Sequence, residues 1–163
     1  TQHGNNNAWC QNNALGWFDW SLTGSNSDML RFTRLMIAFR KRHPCLTHTR
    51  FLNGMERDGH WFPDITWHSE RLNQPLWEDP DARLLACTLG AVDAWEEDLF
   101  VVMSMQAQKL VMPLPRLAEG GWYLAIDTAG ELPRDIIPAD DQTLHTAPSY
   151  HVQPHSVVVF ERR

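Results

Sequence analysis

Apolar positions change their spacing once along this chain, and the change divides it. Met29, Phe32, Leu35, Met36 and Phe39 recur at steps of three and four, which places them on one helix face. The pattern predicts a helix from Asp28 to about Arg42. Ser25, Asn26 and Ser27 supply N-cap candidates. Asp28 complements the positive end of the helix dipole, and Arg40, Lys41 and Arg42 the negative end. Pro44 stops the helix, and His43 just before it is placed as a C-terminal cation. Burying the five stripe residues contributes on the order of 10 kcal/mol gross, at about 1.5–3 kcal/mol each. The stripe therefore needs a partner surface. Residues 1 to about 26 show no apolar period and read as loop with at most one short helical turn.

Beyond residue 45 the apolar residues gather into short runs. Residues 60–62 and 65–68 look like short β stretches interrupted by Pro63. Residues 69–81, with Pro75 and Pro80, read as an exposed connection. Strands are expected over 83–89, 99–105, 109–112, 122–126, 150–152 and 156–160. Turn residues fall between them: Gly90, Asp98, Pro113, Pro115, Gly120-Gly121 and 128–130. Several short strands at this spacing predict an antiparallel β-sandwich. Residues 131–149 hold three prolines and read as a long loop. The expected fold is thus mainly β, with a piece over 1–46 preceding a sandwich over 47–163.

Composition narrows the class. With 163 residues, 43% apolar and 21% charged, the chain can bury a core and is not disordered. A net charge of −6 argues against a nucleic-acid surface, which would need a basic stripe. No apolar run approaches the ~20 residues of a membrane span, and no signal-peptide pattern is seen. Cys10, Cys45 and Cys87 are isolated, which fits reduced thiols in a cytoplasm better than a disulfide framework. The absence of an initiator Met leads to the expectation that the chain begins inside something larger.

The richest stretch for chemistry is residues 4–13, with asparagines at 5, 6, 7, 12 and 13, Gln11 and Trp9. Carboxamides offer donors and acceptors to sugar hydroxyls, and an indole covers the apolar face of a pyranose. The plainer reading is a loop whose Asn side chains satisfy their own backbone. Residues 4–11 followed by Trp17-Phe18-Asp19-Trp20 resemble the segment after the last barrel strand of isoamylase-like glycogen-debranching enzymes of the α-amylase clan. The resemblance continues through Leu30-Arg31-Phe32 to His43-Pro44, then Asp64-Ile65-Thr66-Trp67-His68, and ends at 156–160. It implies that 1–46 is the loop and last helix of a (β/α)8 barrel and that 47–163 is the C-terminal sandwich. It implies an α-1,6-cleaving glycoside hydrolase acting on glycogen or related α-glucans, with Asn5, Asn6, Asn7 and Trp9, beside His3, facing the substrate. The missing barrel would be the partner of the helix stripe. Without it, the stripe docks on the sandwich or drives self-association.

Retaining glycoside hydrolysis needs two carboxyl groups about 5–5.5 Å apart. No position matches the family's catalytic acids, so no catalytic residue is assigned and the chain itself is expected to be non-catalytic. Asp19 reads as a turn or cap residue, and Glu96-Glu97-Asp98 as a solvated acidic turn. The eight histidines lack metal-ligand spacing, and neither a metal nor a cofactor is implied. Trp61, Trp67, Trp77, Trp95 and Trp122 are either core or a sugar platform. Two alternatives stay open: a stand-alone carbohydrate-binding sandwich, and a clan enzyme with another bond preference.

Overall fold

Short apolar runs become strands here because both faces of the sheet they form are covered. The computed structural model describes residues 5, 7–47, 49–56, 58–92 and 95–163. Helix α1 (Leu22–Ser25) is a single turn, and α2 (Ser27–Arg42) is the one long helix among the described residues. Eight strands follow: β1 (Ile65–His68), β2 (Leu84–Leu89), β3 (Leu99–Ser104), β4 (Leu110–Pro113), β5 (Trp122–Asp127), β6 (Leu144–His145), β7 (Ser149–Val152) and β8 (Ser156–Arg162). Six make one sheet in the order β1-β2-β3-β8-β5-β6, and β4 pairs with β7 in a second. Every pairing is antiparallel, as the alternation of strand and turn signals predicts.

Strand side chains alternate between two cores. On one face Leu84, Ala86, Phe100, Val102, Val158 and Phe160 meet Met112 and Val152 of the small sheet. Trp122 closes this layer, its indole N–H donating to the Pro115 carbonyl at 2.8 Å. On the other face Cys87, Leu89, Leu99, Ile126 and Val159 meet the helix, which buries Phe39 and half-buries Phe32, Leu35 and Met36. The stripe read from the sequence therefore finds its partner within the chain. Met29 is left 67% exposed, and Ile37 on another face of the helix 52%.

Two segments depart from the sequence reading. Residues 60–62 form no strand. Pro63 has no N–H to give a ladder, and the chain here is held by Asp64 instead. Its carboxylate accepts the N–H groups of Asn53 (3.1 Å) and Gly54 (2.7 Å). Gly90 lets this segment approach: a Cβ there would lie 2.4 Å from the Pro63 carbonyl oxygen. Residues 131–149 are more than loop. They contain β6 and a 3-10 turn, Ala139–Asp141. Ile136 plugs the helix-side core at 2% exposure. A register break between Leu124 and Ile126 frees the Ala125 carbonyl to accept the Ile137 N–H at 2.8 Å. One buried isoleucine among three prolines carries no period, which is why the sequence pattern hides it.

Because Phe39 joins helix to sheet, Phe39→Ala should destabilise the whole domain by about 3–5 kcal/mol. Urea unfolding followed by circular dichroism checks this. An unchanged midpoint would mean that the helix lies outside the cooperative unit.

Candidate functional site

The asparagine-rich loop is built from turns that close on their own side chains. The Asn5 carboxamide oxygen accepts the Asn7 N–H at 3.1 Å, and the Asn7 oxygen accepts the Trp9 N–H at 2.9 Å. Asn13 repeats the motif with Leu15 at 3.0 Å, and Asn12 accepts the Trp17 indole N–H at 2.8 Å. These are Asx turns, in which Asn5, Asn7 and Asn13 satisfy nearby backbone N–H groups. The turns use the carboxamide oxygens, and among the described residues the NH2 groups of Asn5 and Asn7 find no hydrogen-bond partner. Trp9 follows in left-handed backbone (φ 44°), as does Cys10 (φ 58°). That conformation costs a bulky L-residue on the order of 1–2 kcal/mol. Trp9 is nevertheless 80% exposed, so packing of its indole does not repay the cost. Asn5, Asn7 and Trp9 thus share one loop. Asn6 and His3 lie outside the described residues.

Asp19 behaves as a cap: one carboxylate oxygen accepts both the N–H (2.9 Å) and the hydroxyl (2.6 Å) of Ser21. The acidic turn at 96–98 corrects the expectation of a solvated run. Glu96 and Asp98 are 5% and 1% exposed, because each anchors backbone or a cation. Glu96 accepts the Cys45 and Val92 N–H groups, both at 2.6 Å. Asp98 accepts the Ala91 N–H at 2.8 Å and pairs with Arg162. Glu161 follows Val157 and Val159 on the helix side of β8. It is fully buried between Arg42 of the helix and Arg163.

His43, the residue that caps α2, is also fully buried. Its Nδ1 lies 2.8 Å from the Phe39 carbonyl oxygen, so Nδ1 carries the proton. Its Nε2 lies 3.3 Å from Glu161 and 3.6 Å from Glu97. Burial pushes the imidazole below its usual range; the Phe39 carbonyl and the carboxylates pull against that without overcoming it. Burial also raises both inner thiols, Cys87 to about 11 and Cys45 further still with Glu96 adding to it. Neither is a nucleophile at neutral pH. Among the described residues no three His, Cys, Asp or Glu side chains gather to hold a metal ion.

The Asp64–His68 stretch is structural throughout. His68 is buried on β1, its Nδ1 accepting the Asn73 N–H at 2.8 Å. The proton therefore sits on Nε2, which donates to the Thr88 hydroxyl at 2.9 Å. The five tryptophans of the sandwich divide. Trp122 is core, Trp67 is half-buried, and Trp61, Trp77 and Trp95 are exposed.

An antiparallel sandwich with a helix on its outer face is the architecture this chain defines. It belongs to a known family: the family model for the isoamylase 1-3 C-terminal domain matches residues 66–158, and the chain is a member of that family. A glycogen debranching enzyme of Klebsiella pneumoniae subsp. pneumoniae is 33% identical over 163 residues, covering 99% of this chain and 21% of that protein. One from Serratia proteamaculans is 29% identical over 146 residues, covering 90% of this chain and 20% of the relative. The chloroplastic isoamylase 3 of Oryza sativa subsp. japonica is 27% identical over 167 residues, covering 100% and 19%. The chain therefore spans about a fifth of the length of these relatives.

Burial alone depresses the His68 pKa below its ordinary 6.5. The unfolded chain then takes up the proton first as pH falls. The contribution of His68 is complete above 6.5 and is lost as pH drops toward the folded value, at up to about 1.4 kcal/mol per pH unit. Denaturation of wild type and His68→Gln between pH 7.5 and 5 checks this. The wild-type stability should fall more steeply than that of the variant, and parallel curves would refute the assignment.

Proposed function

We propose that this chain is the C-terminal part of a glycogen-debranching glycoside hydrolase that cleaves α-1,6 branch linkages by a retaining double displacement. The observation that carries the reading is the match to the isoamylase C-terminal family over 66–158, together with relatives named as glycogen debranching enzymes. In this reading residues 1–46 close a catalytic barrel and residues 47–163 form the sandwich attached to it. The catalytic carboxylates belong to the barrel, and the chain itself is structural and non-catalytic. Its partners are that barrel and an α-glucan, and its compartment is the cytoplasm. No helix among the described residues is long and apolar enough to cross a membrane.

Asn5, Asn6, Asn7 and Trp9 contact the glucan in this reading. The exposed indole supports it, as do the amide NH2 groups of Asn5 and Asn7, which have no partner among the described residues; they match the C–H faces and hydroxyl oxygens of a sugar. Self-association through the helix would use Met29 and Ile37, the side chains the sheet leaves uncovered.

A reducing-end assay on branched glucan separates the parts of the proposal. The 163-residue chain should release no new ends. In the intact enzyme Trp9→Ala should lower kcat/KM roughly tenfold, about 1.4 kcal/mol, with the thermal midpoint unchanged. Unaltered kinetics in Trp9→Ala would remove the loop from the substrate site, and hydrolysis by the chain alone would refute its non-catalytic role.

A further inference from the structure

The β1–β2 connection, residues 69–83, presents an indole that the fold holds rigid and leaves in water. Trp77 is 59% exposed. Its ring meets the edge of Trp67 at a centroid distance of 5.4 Å and an interplanar angle of 77°. Trp67 itself is half-buried against the helix-side core, so the contact ties the exposed ring to the domain interior. Pro75 and Pro80 flank Trp77 and fix the loop's φ angles. Two turn bonds add to them, Asp79 N–H to the Leu76 carbonyl at 3.3 Å and Asp81 N–H to the Asp79 carboxylate at 2.9 Å. An exposed aromatic ring held this way loses little entropy on binding.

A polar cleft adjoins the ring. The surface around Trp77 and a cavity of about 140 Å³ share Leu76 and Asp79 as common wall. The cavity is lined further by Glu70, Asp81, Arg83 and Gln106. Gln106 donates one amide N–H to Glu70 at 2.7 Å, which orients the amide at the cleft. Arg83 is folded back on its own loop, donating to the carbonyls of Pro80 (3.0 Å) and Ala82 (3.1 Å).

The chemistry of this surface selects its ligand. Among the lining residues Glu70, Glu78, Asp79 and Asp81 outnumber Arg83, so phosphorylated and other anionic ligands are repelled. Among the described residues these acids do not converge into a metal site. A ligand that donates many hydroxyl groups to carboxylates and lays a flat C–H face on an indole satisfies both halves of the surface. We propose that Trp77 and the adjoining Asp79–Gln106 cleft form a binding platform for neutral α-glucan chains, carried by the β1–β2 connection and not by the asparagine loop. The proposal takes its ligand from the debranching reading. The platform holds the polymer and performs no chemistry on it.

Native electrophoresis of the 163-residue chain through gels with and without soluble glycogen tests the platform. The wild-type chain should be retarded by glycogen. Trp77→Ala should weaken binding at least tenfold, and Gln106→Ala should weaken it less. Since Trp77 and Gln106 lie at the surface, unfolding curves matching wild type show that any loss is one of recognition. Absence of retardation in the wild-type chain would overturn the proposal, as would retardation unchanged by Trp77→Ala. The intact enzyme distinguishes this from the debranching reading. Trp77→Ala there should reduce hydrolysis of glycogen but spare that of a short branched oligosaccharide. Equal rates of Trp77→Ala and wild type on both substrates would remove the platform while leaving the debranching reading standing, whereas a wild-type enzyme that cleaved neither substrate would refute that reading.

Discussion

A carboxylate sealed inside an apolar layer dictates how this domain is put together. Glu161 lies on the helix side of β8, in line with Val157 and Val159, and is fully buried. An unpaired charge at such a position costs several kcal/mol, so the surrounding chain has to bring cations to it. Arg42 comes from the last turn of α2 and Arg163 from the chain end, while His43 packs alongside. The basic end of the helix is thereby placed over β8, and the apolar stripe from Phe32 to Phe39 falls onto the sheet in one register. Hydrophobic burial supplies the larger energy, whereas the buried acid selects one docking position among the many a greasy stripe would accept.

Most of the fold is legible in the chain because its signals are periodic. The three-four spacing of the helix, the short runs of the strands and the prolines between them all operate locally. What the sequence hides is pairing at a distance. Glu96 and Asp98 look like a wet turn because nothing nearby discloses that the Cys45 N–H and Arg162 will reach them. Ile136 looks like one apolar residue in a proline-rich loop because the bulge that receives it, near Ala125, leaves no mark in composition. Trp77 and Trp122 read alike as indoles in an all-β domain. One is exposed beside two prolines and the other caps a core, a distinction that depends on which strand neighbours the fold supplies.

The asparagine loop shows how one residue type shapes a turn while keeping polar groups at the surface. The oxygens of Asn5, Asn7 and Asn13 each close a turn, which holds the loop in shape without a core beneath it. The same geometry turns the amide nitrogens away from the turn bonds. A serine-rich or glycine-rich loop could make similar turns but would offer less on its outer side. The resemblance of this stretch to a family segment was readable in the chain, while the strained, exposed placement of Trp9 within it was not.

The position of β8 has a consequence for how the protein is made. The last strand in sequence is a central strand in space, lying between β3 and β5. During synthesis β1, β2 and β3 leave the ribosome as half a sheet with an open edge, and β5 follows with no partner on its inner side. The helix, made before any of them, has an incomplete surface to dock on. The sheet closes only when residues 156–162 have cleared the exit tunnel. A chain that stopped before β8 would therefore carry two exposed edges rather than a slightly smaller sheet, and such edges are what chaperones and aggregates recognise.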